Sequence, residues 1–191
     1  NPNSQTEISG SLSARAGELG GDGGYVDTSG SHIRIADGTR IDTSAPRGNT
    51  GSWLIDPSDF IISAVNSGTI SSGSPSGDIS GATLETALAS SNVSILSSAG
   101  STSSGSGNIY VNDSVSWSAN TLTLTAAKDI QVNAVMTASG TSVLALNPGT
   151  ANGADAAVAY GTLKMGLGPS GFLGRIDFGT RSGTGMLSIG G

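Results

Sequence analysis

The chain contains no cysteine in 191 residues, which excludes a disulfide frame and any thiolate metal site. Charge is scarce as well. Asp, Glu, Lys and Arg supply 12% of the residues, about half the share of an ordinary soluble domain, so self-repulsion cannot hold the chain open. What charge there is leans acidic, fourteen acidic side chains against eight basic ones for a net −6. That balance argues against nucleic acid and anionic lipid as partners, since both draw basic surfaces. No run of eighteen apolar residues occurs, so insertion into a membrane as a helix is not expected. Residues 1–7 also lack the basic region and apolar core of a secretory leader.

Histidine is nearly absent. A Ser-His-Asp arrangement would have to use His32, the only one, and no G-x-S-x-G turn accompanies it; it reads as an exposed strand histidine. No glycine-rich turn is followed by Lys-Ser or Lys-Thr in the way a phosphate loop requires.

Glycine, at 30 positions, has about twice its usual share. A flexible Gly/Ser linker is nonetheless excluded by regularly spaced apolar pairs: Ile33/Ile35, Leu54/Ile55, Ile109/Val111, Leu122/Leu124, Ile130/Val132 and Leu144/Leu146. Such alternation, bounded by Gly, Asn, Asp, Ser or Pro, predicts short strands. It turns Ile33, Ile35, Leu122 and Leu124 inward and His32, Arg34, Thr121, Thr123 and Thr125 outward. Spacing alone suits a sandwich as well as a coil of parallel strands. Turn chemistry favours the coil, because only Asp37-Gly38 resembles a two-residue hairpin turn. Thr83 to Ala89 reads as one short helix capped by Ser80 or Thr83, with Leu84 and Leu88 on one face. Ser71 to Gly77 and Ser98 to Gly107 read as low-complexity loops.

Two motifs stand in a fixed order: Gly24-Tyr25-Val26-Asp27-Thr28-Ser29-Gly30, then Trp53-Leu54-Ile55-Asp56-Pro57-Ser58-Asp59-Phe60-Ile61-Ile62. Later come Gly77-Asp78-Ile79-Ser80 before the helix, Asn108-Ile109-Tyr110-Val111-Asn112-Asp113, the stretch from Thr121 to Ala134, Gly171 to Phe178, and Gly185 to Ile189. Together these resemble the filamentous haemagglutinin-like exoproteins, the passengers of bacterial two-partner secretion, over most of the chain. The resemblance implies an all-β right-handed parallel β-helix. At about 20 to 22 residues per rung and ~4.8 Å between strands, seven to nine rungs would make a rod about 35 to 45 Å long. Residues 1–191 would form a single β-helix segment of a longer chain, with residues 66–107 as a loop and short-helix excursion. It further implies export through an outer-membrane partner transporter, residence at the bacterial surface, and a structural rather than enzymatic role in adhesion to host cells, other bacteria, glycan or matrix. Unpaired rungs at the two ends would favour head-to-tail self-association.

Asp22, Asp27, Asp37, Asp42, Asp56 and Asp59 would supply the paired carboxylates of a polysaccharide-cleaving β-helix, but Asp56 and Asp59 can cap the turn around Pro57, and Asp27 and Asp37 can close corners. Gly20 to Gly24 carries one aspartate, too few oxygens for calcium. Tyr25, Trp53, Phe60 and Trp117 would make a sugar platform if exposed; packing is the simpler reading, with Trp53 at a rung edge and Leu54 or Ile55 inside. One row of outward threonines makes no ice-binding ladder. No catalytic, cofactor-binding or metal-binding residue is assigned, and no cofactor is expected.

Overall fold

A computed structural model of the chain describes residues 4–64, 77–98, 105–150, 161–181 and 187–190. Much of the two Ser/Gly-rich stretches, at 65–76 and 99–104, lies outside them. The fold is all-β with parallel sheets and one short helix. The largest sheet pairs β3 (Tyr25–Ser29), β6 (Ser52–Asp56), β8 (Asn92–Ser97), β11 (Thr121–Ala126), β14 (Val143–Asn147) and β19 (Leu187–Ile189) in that order. A second holds β7 (Phe60–Ile62), β9 (Ile109–Val111), β12 (Ile130–Val132) and β15 (Leu163–Met165), and a third holds β10 (Val115–Trp117), β13 (Val135–Gly140) and β18 (Arg175–Arg181). Near the start, β1 (Gln5–Ile8) pairs with β4 (His32–Ile35), and β2 (Ser11–Ser13) with β5 (Arg40–Asp42). In the parallel sheets, sequence neighbours fall in different sheets, and each strand pairs with one distant along the chain.

Two joints link the early pairs to the later sheets. Residues 78–79 lie between β4 and β7: Ile35 N donates to Asp78 O, Asp78 N to Ile61 O, and Ser63 N to Ile79 O. Helix α1 (Gly81–Leu88) packs against both β5 and β10, in the place a strand of the third sheet would take. Ser80 caps it, its hydroxyl accepting from Thr83 N at 3.3 Å, as the sequence predicts. The helix also answers the strand edges beside it. Glu85 accepts from Ser116 N at 2.6 Å, the Ser90 and Ser91 hydroxyls donate to Ile41 O, and Ser91 accepts from Thr43 N. A side chain at Gly81 would strike the Ser114 carbonyl, so this close approach requires glycine. Asn120, φ +64, is the one non-glycine residue with positive φ among those described; asparagine tolerates that region, and its amide donates to Leu88 O at the helix end.

The core is a set of files along the sheets. Trp53, Val93, Leu122 and Leu144 are register partners, as are Ile55, Ile95, Leu124 and Leu146, and all are buried. Phe60, Ile109 and Ile130 make a third file, and Ile62, Val111 and Val132 a fourth. Trp117 stands beside Ala138, so the largest side chain meets a small one. β-Branched residues dominate because every inner position is pressed between the strands above and below.

Several expectations are corrected. Trp53 is fully buried on the inner face with Ile55, and Leu54 points outward; the strand's alternation, not the tryptophan's bulk, sets its side. Asp37-Gly38 makes no hairpin, because β4 and β5 belong to different sheets. The one antiparallel strand pair among the described residues joins β16 (Leu167–Gly168) to β17 (Gly171–Phe172). Among the described residues the largest sheet has six strands, with β8 (Asn92–Ser97) in its middle.

The inward and outward positions of β11 give a direct test. Leu124→Ala should cost about 2–5 kcal/mol of unfolding free energy, while Thr123→Ala next to it should change stability by less than about 0.5 kcal/mol. Chemical denaturation of both variants checks the register; equal losses would contradict it.

Candidate functional site

The six aspartates of the first third do not converge. Asp22 accepts from Asn49 N at 2.7 Å, and Asp42 accepts from Ser44 N at 3.0 Å and pairs with Arg15 at 3.4 Å. Hydrogen bonding by Ser44, outweighing burial and helped by the Arg15 charge, holds the Asp42 carboxyl below its ordinary range. Asp59 caps not its own turn but the next circuit, accepting from Ser106 N and Asn108 N at 3.0 and 2.7 Å. Asp27 sits in the middle of β3 rather than at a corner, and its carboxylate accepts from the Ser29 hydroxyl. Asp56, at the end of β6, is pushed up by burial and then by the Asp27 charge, partly offset by the Ser98 hydroxyl.

Asp59 begins a column. Asn108 Oδ1 accepts from Asp129 N at 3.2 Å, and Asp129 Oδ1 accepts from Thr162 N at 2.9 Å. Each of these residues immediately precedes a strand of the second sheet, so each side chain satisfies the amide of its equivalent one circuit on. Burial raises the Asp129 carboxyl, but the Lys164 ammonium at 2.6 Å and the Thr162 amide and hydroxyl together hold it low.

Carboxylates face each other across one cleft, of about 470 Å³, at the start of α1, lined by Asp37, Ser80, Thr83, Thr86 and Asp113 among others. Their oxygens are engaged in building the helix. Asp37 accepts from the Ser80 hydroxyl at 2.6 Å, and Asp113 accepts from Gly81 N at 2.9 Å. Asp37 belongs to the circuit before the helix and Asp113 to the circuit after it, so both place negative charge at its positive end. His32 lies at the start of β4, opposite Gln5 and partly exposed, and no serine nucleophile is bonded to it in any hydrogen bond described. Among the described residues no group of three His, Cys, Asp or Glu side chains is placed to hold a metal ion.

The aromatic platform is also dispersed. Trp53 and Phe60 are fully buried, Trp117 is 5% exposed, and only Tyr25, at 57%, faces solvent. Thr121, Thr123 and Thr125 do point outward, but the positions beside them hold Val143, Ala145 and Asn147, so no threonine ladder forms. No protein-family model matches the chain, and it has no match among curated proteins or solved structures.

One titratable group stands apart. Asp78, in the joint between β4 and β7, accepts from Ile61 N at 2.7 Å. Burial, against that hydrogen bond and with the Asp59 charge adding to it, pushes its carboxyl up to about 7. Gly-Asp before a helix start was the only signal, and it is shared by ordinary turns. Because the folded state holds this proton more tightly than the unfolded chain, the stabilisation is fully present below about pH 4 and is lost as pH rises toward 7. Asp78→Asn keeps an oxygen for Ile61 N–H and removes the titration. Relative to the unsubstituted chain it should gain on the order of 2–4 kcal/mol between pH 4 and pH 8. Urea unfolding of both proteins across that range checks this; parallel pH profiles would refute it.

Proposed function

We propose that the chain is a structural segment in the shaft of a large secreted bacterial adhesin of the filamentous haemagglutinin-like type, built as a right-handed parallel β-helix. The observation carrying this reading is that its two most characteristic motifs are stacked on each other. β3 and β6 are register partners, Val26 beside Trp53 and Thr28 beside Ile55, and the Trp53 indole N–H donates to the Thr28 hydroxyl at 2.9 Å. Residues set far apart in sequence thus serve one joint, which accounts for their occurring together and in order.

The order of strands supports this winding. β1, β2 and β3 fall in three different ladders, β4, β5 and β6 repeat the order, and β9, β10, β11 and β12, β13, β14 repeat it again. Parallel strands joined by such crossovers are right-handed in nearly every known case. A coil of this kind is held by contacts between successive circuits alone, so it folds progressively and gains stability almost additively with length. Those properties suit a fibre that emerges through an outer-membrane partner transporter and spaces a binding region from the cell. The engaged carboxylates and buried aromatics favour a passive shaft over a polysaccharide-cleaving or carbohydrate-binding role.

In the source bacterium, an antibody to this chain should label the outer surface of intact cells and lose that labelling when the partner-transporter gene is deleted. Cytosolic protein in both strains would overturn the reading. Incubation of the purified chain with a polysaccharide panel should release no reducing ends; turnover sensitive to Asp56→Asn would put an enzyme in its place.

A further inference from the structure

We infer that the Asp56–Pro57 peptide bond is a self-cleavage site, cut by the side-chain carboxyl of Asp56 acting on its own main-chain carbonyl, and that the fold keeps the two pieces together. The inference rests on the surroundings of this one bond and is independent of the adhesin reading.

Asp56-Pro57 is the only Asp-Pro pair in the sequence. Proline makes the peptide a tertiary amide without an N–H, and its nitrogen takes up a proton more readily than that of an ordinary peptide. The aspartate carboxyl reaches its own carbonyl carbon through a five-membered ring, so nucleophile and target are already together. Those features belong to any Asp-Pro pair. The fold adds three more.

First, the Asp56 carbonyl oxygen accepts from Gly30 N at 3.2 Å, a donor placed to stabilise the oxyanion that forms there. Beyond the bond, Pro57 is buried and its carbonyl oxygen accepts from Ser98 N at 2.9 Å, so the peptide is held on both sides. Second, Asp56 Oδ1 is buried and has no hydrogen-bond partner among the described residues. Asp22, Asp42 and Asp59 each spend an oxygen on a backbone N–H, whereas this oxygen has no such bond to give up. Third, burial and then the Asp27 charge favour the neutral carboxyl, against the Ser98 hydroxyl. On the β3 side lie Asp27, the Tyr25 phenol and Ser29, the register partner of Asp56. On the other side β8 carries no titratable side chain.

The neutral carboxyl gives its proton to Pro57 N as its oxygen bonds to the Asp56 carbonyl carbon, and the C–N bond breaks. Asp56 is left as a cyclic anhydride and Pro57 as a secondary amine. One water then opens the anhydride, so the net change is hydrolysis of a single peptide bond. The cut does not part the fold: β6 of the first piece pairs with β8 of the second, and Ile35 N donates to Asp78 O across the same divide.

Intact-mass measurement of the purified chain held at about pH 5 tests this. Fragments 1–56 and 57–191 should appear about tenfold or more faster than in urea, where the arrangement is lost, with elution of the native chain from a sizing column unchanged. Asp56→Glu lengthens the ring and Pro57→Ala restores an ordinary amide; each should abolish the cut. Should Pro57→Ala fail to fold by circular dichroism, Asp56→Glu, at a partly exposed strand end, decides alone. Asp27→Asn should keep the cut but move its rate profile to lower pH, because Asp56 then ionises sooner. A chain that stays whole, that is cut no faster folded than in urea, or that is cut as fast with Asp56→Glu would overturn the proposal. An unmoved profile in Asp27→Asn would count against the Asp56 carboxyl as the acting group.

Discussion

Like positions stacking on like is the constraint from which the rest of this structure follows. In a parallel ladder a residue meets its equivalent from the circuits above and below at the strand spacing, about 4.8 Å. An inward leucine is therefore flanked by the inward residues of the strands beside it. Leu122, Leu124, Leu144 and Leu146 are fully buried, in one apolar cluster with inward residues of the other sheets. This explains how a chain without cysteine reaches dense packing: each strand's inward side chains are covered along their own ladder and by the sheets facing them. It also restricts size, since an oversized side chain in one file must meet a smaller one, as Trp53 meets Val26 and Val93 and Trp117 meets Ala138.

The same stacking governs the polar groups. A corner leaves amides and carbonyls outside the ladder, and these must find partners. Side chains from the equivalent corner one circuit away supply them, as in the Asp59, Asn108, Asp129 and Thr162 column. A second column runs through Asn112 and Asn133, whose amide donates to the Asn112 carbonyl oxygen at 2.7 Å. Short acids and amides are needed there because only they reach the next circuit without spanning it. The sparse charge of the chain thus has a structural use: of the six aspartates that drew suspicion of catalysis, Asp22, Asp42 and Asp59 are committed to backbone donors, and Asp27 and Asp37 to hydroxyls.

Alternation along single strands was legible in the sequence. Ile33 and Ile35, Leu122 and Leu124, Ile130 and Val132 all lie inside, and the helix begins after Ser80. What failed concerned relations between strands. The resemblance sets Trp53 at a rung edge, yet it lies buried on the inner face, where its ladder neighbours Val26 and Val93 leave room for it. Asp37-Gly38 carries the signature of a hairpin turn, but Gly38, φ +79, turns the chain from one ladder to the next. Asp27 reads as a corner residue from composition, and only pairing places it mid-strand opposite Leu54. Partners in the parallel ladders lie 21 to 49 residues apart, and local pattern holds no record of which strand meets which. Asp78 stands in the Gly77-Asp78-Ile79-Ser80 motif, but its burial is not legible there, because its environment comes from β4 and β7, both distant in the chain.

Helix α1 shows how far the stacking rule bends. A helix cannot continue a ladder, because its backbone groups are spent internally, so β5 and β10 on either side of it would each be left with an open edge. Glu85, Ser90, Ser91 and Asn120 close those edges with side-chain bonds, and Leu84 and Leu88 fill the file a strand would have filled. The disturbance ends there, since β6 and β8 pair in full register one ladder away. A missing strand is thus tolerated only where side chains can take over both its hydrogen bonds and its share of the apolar file.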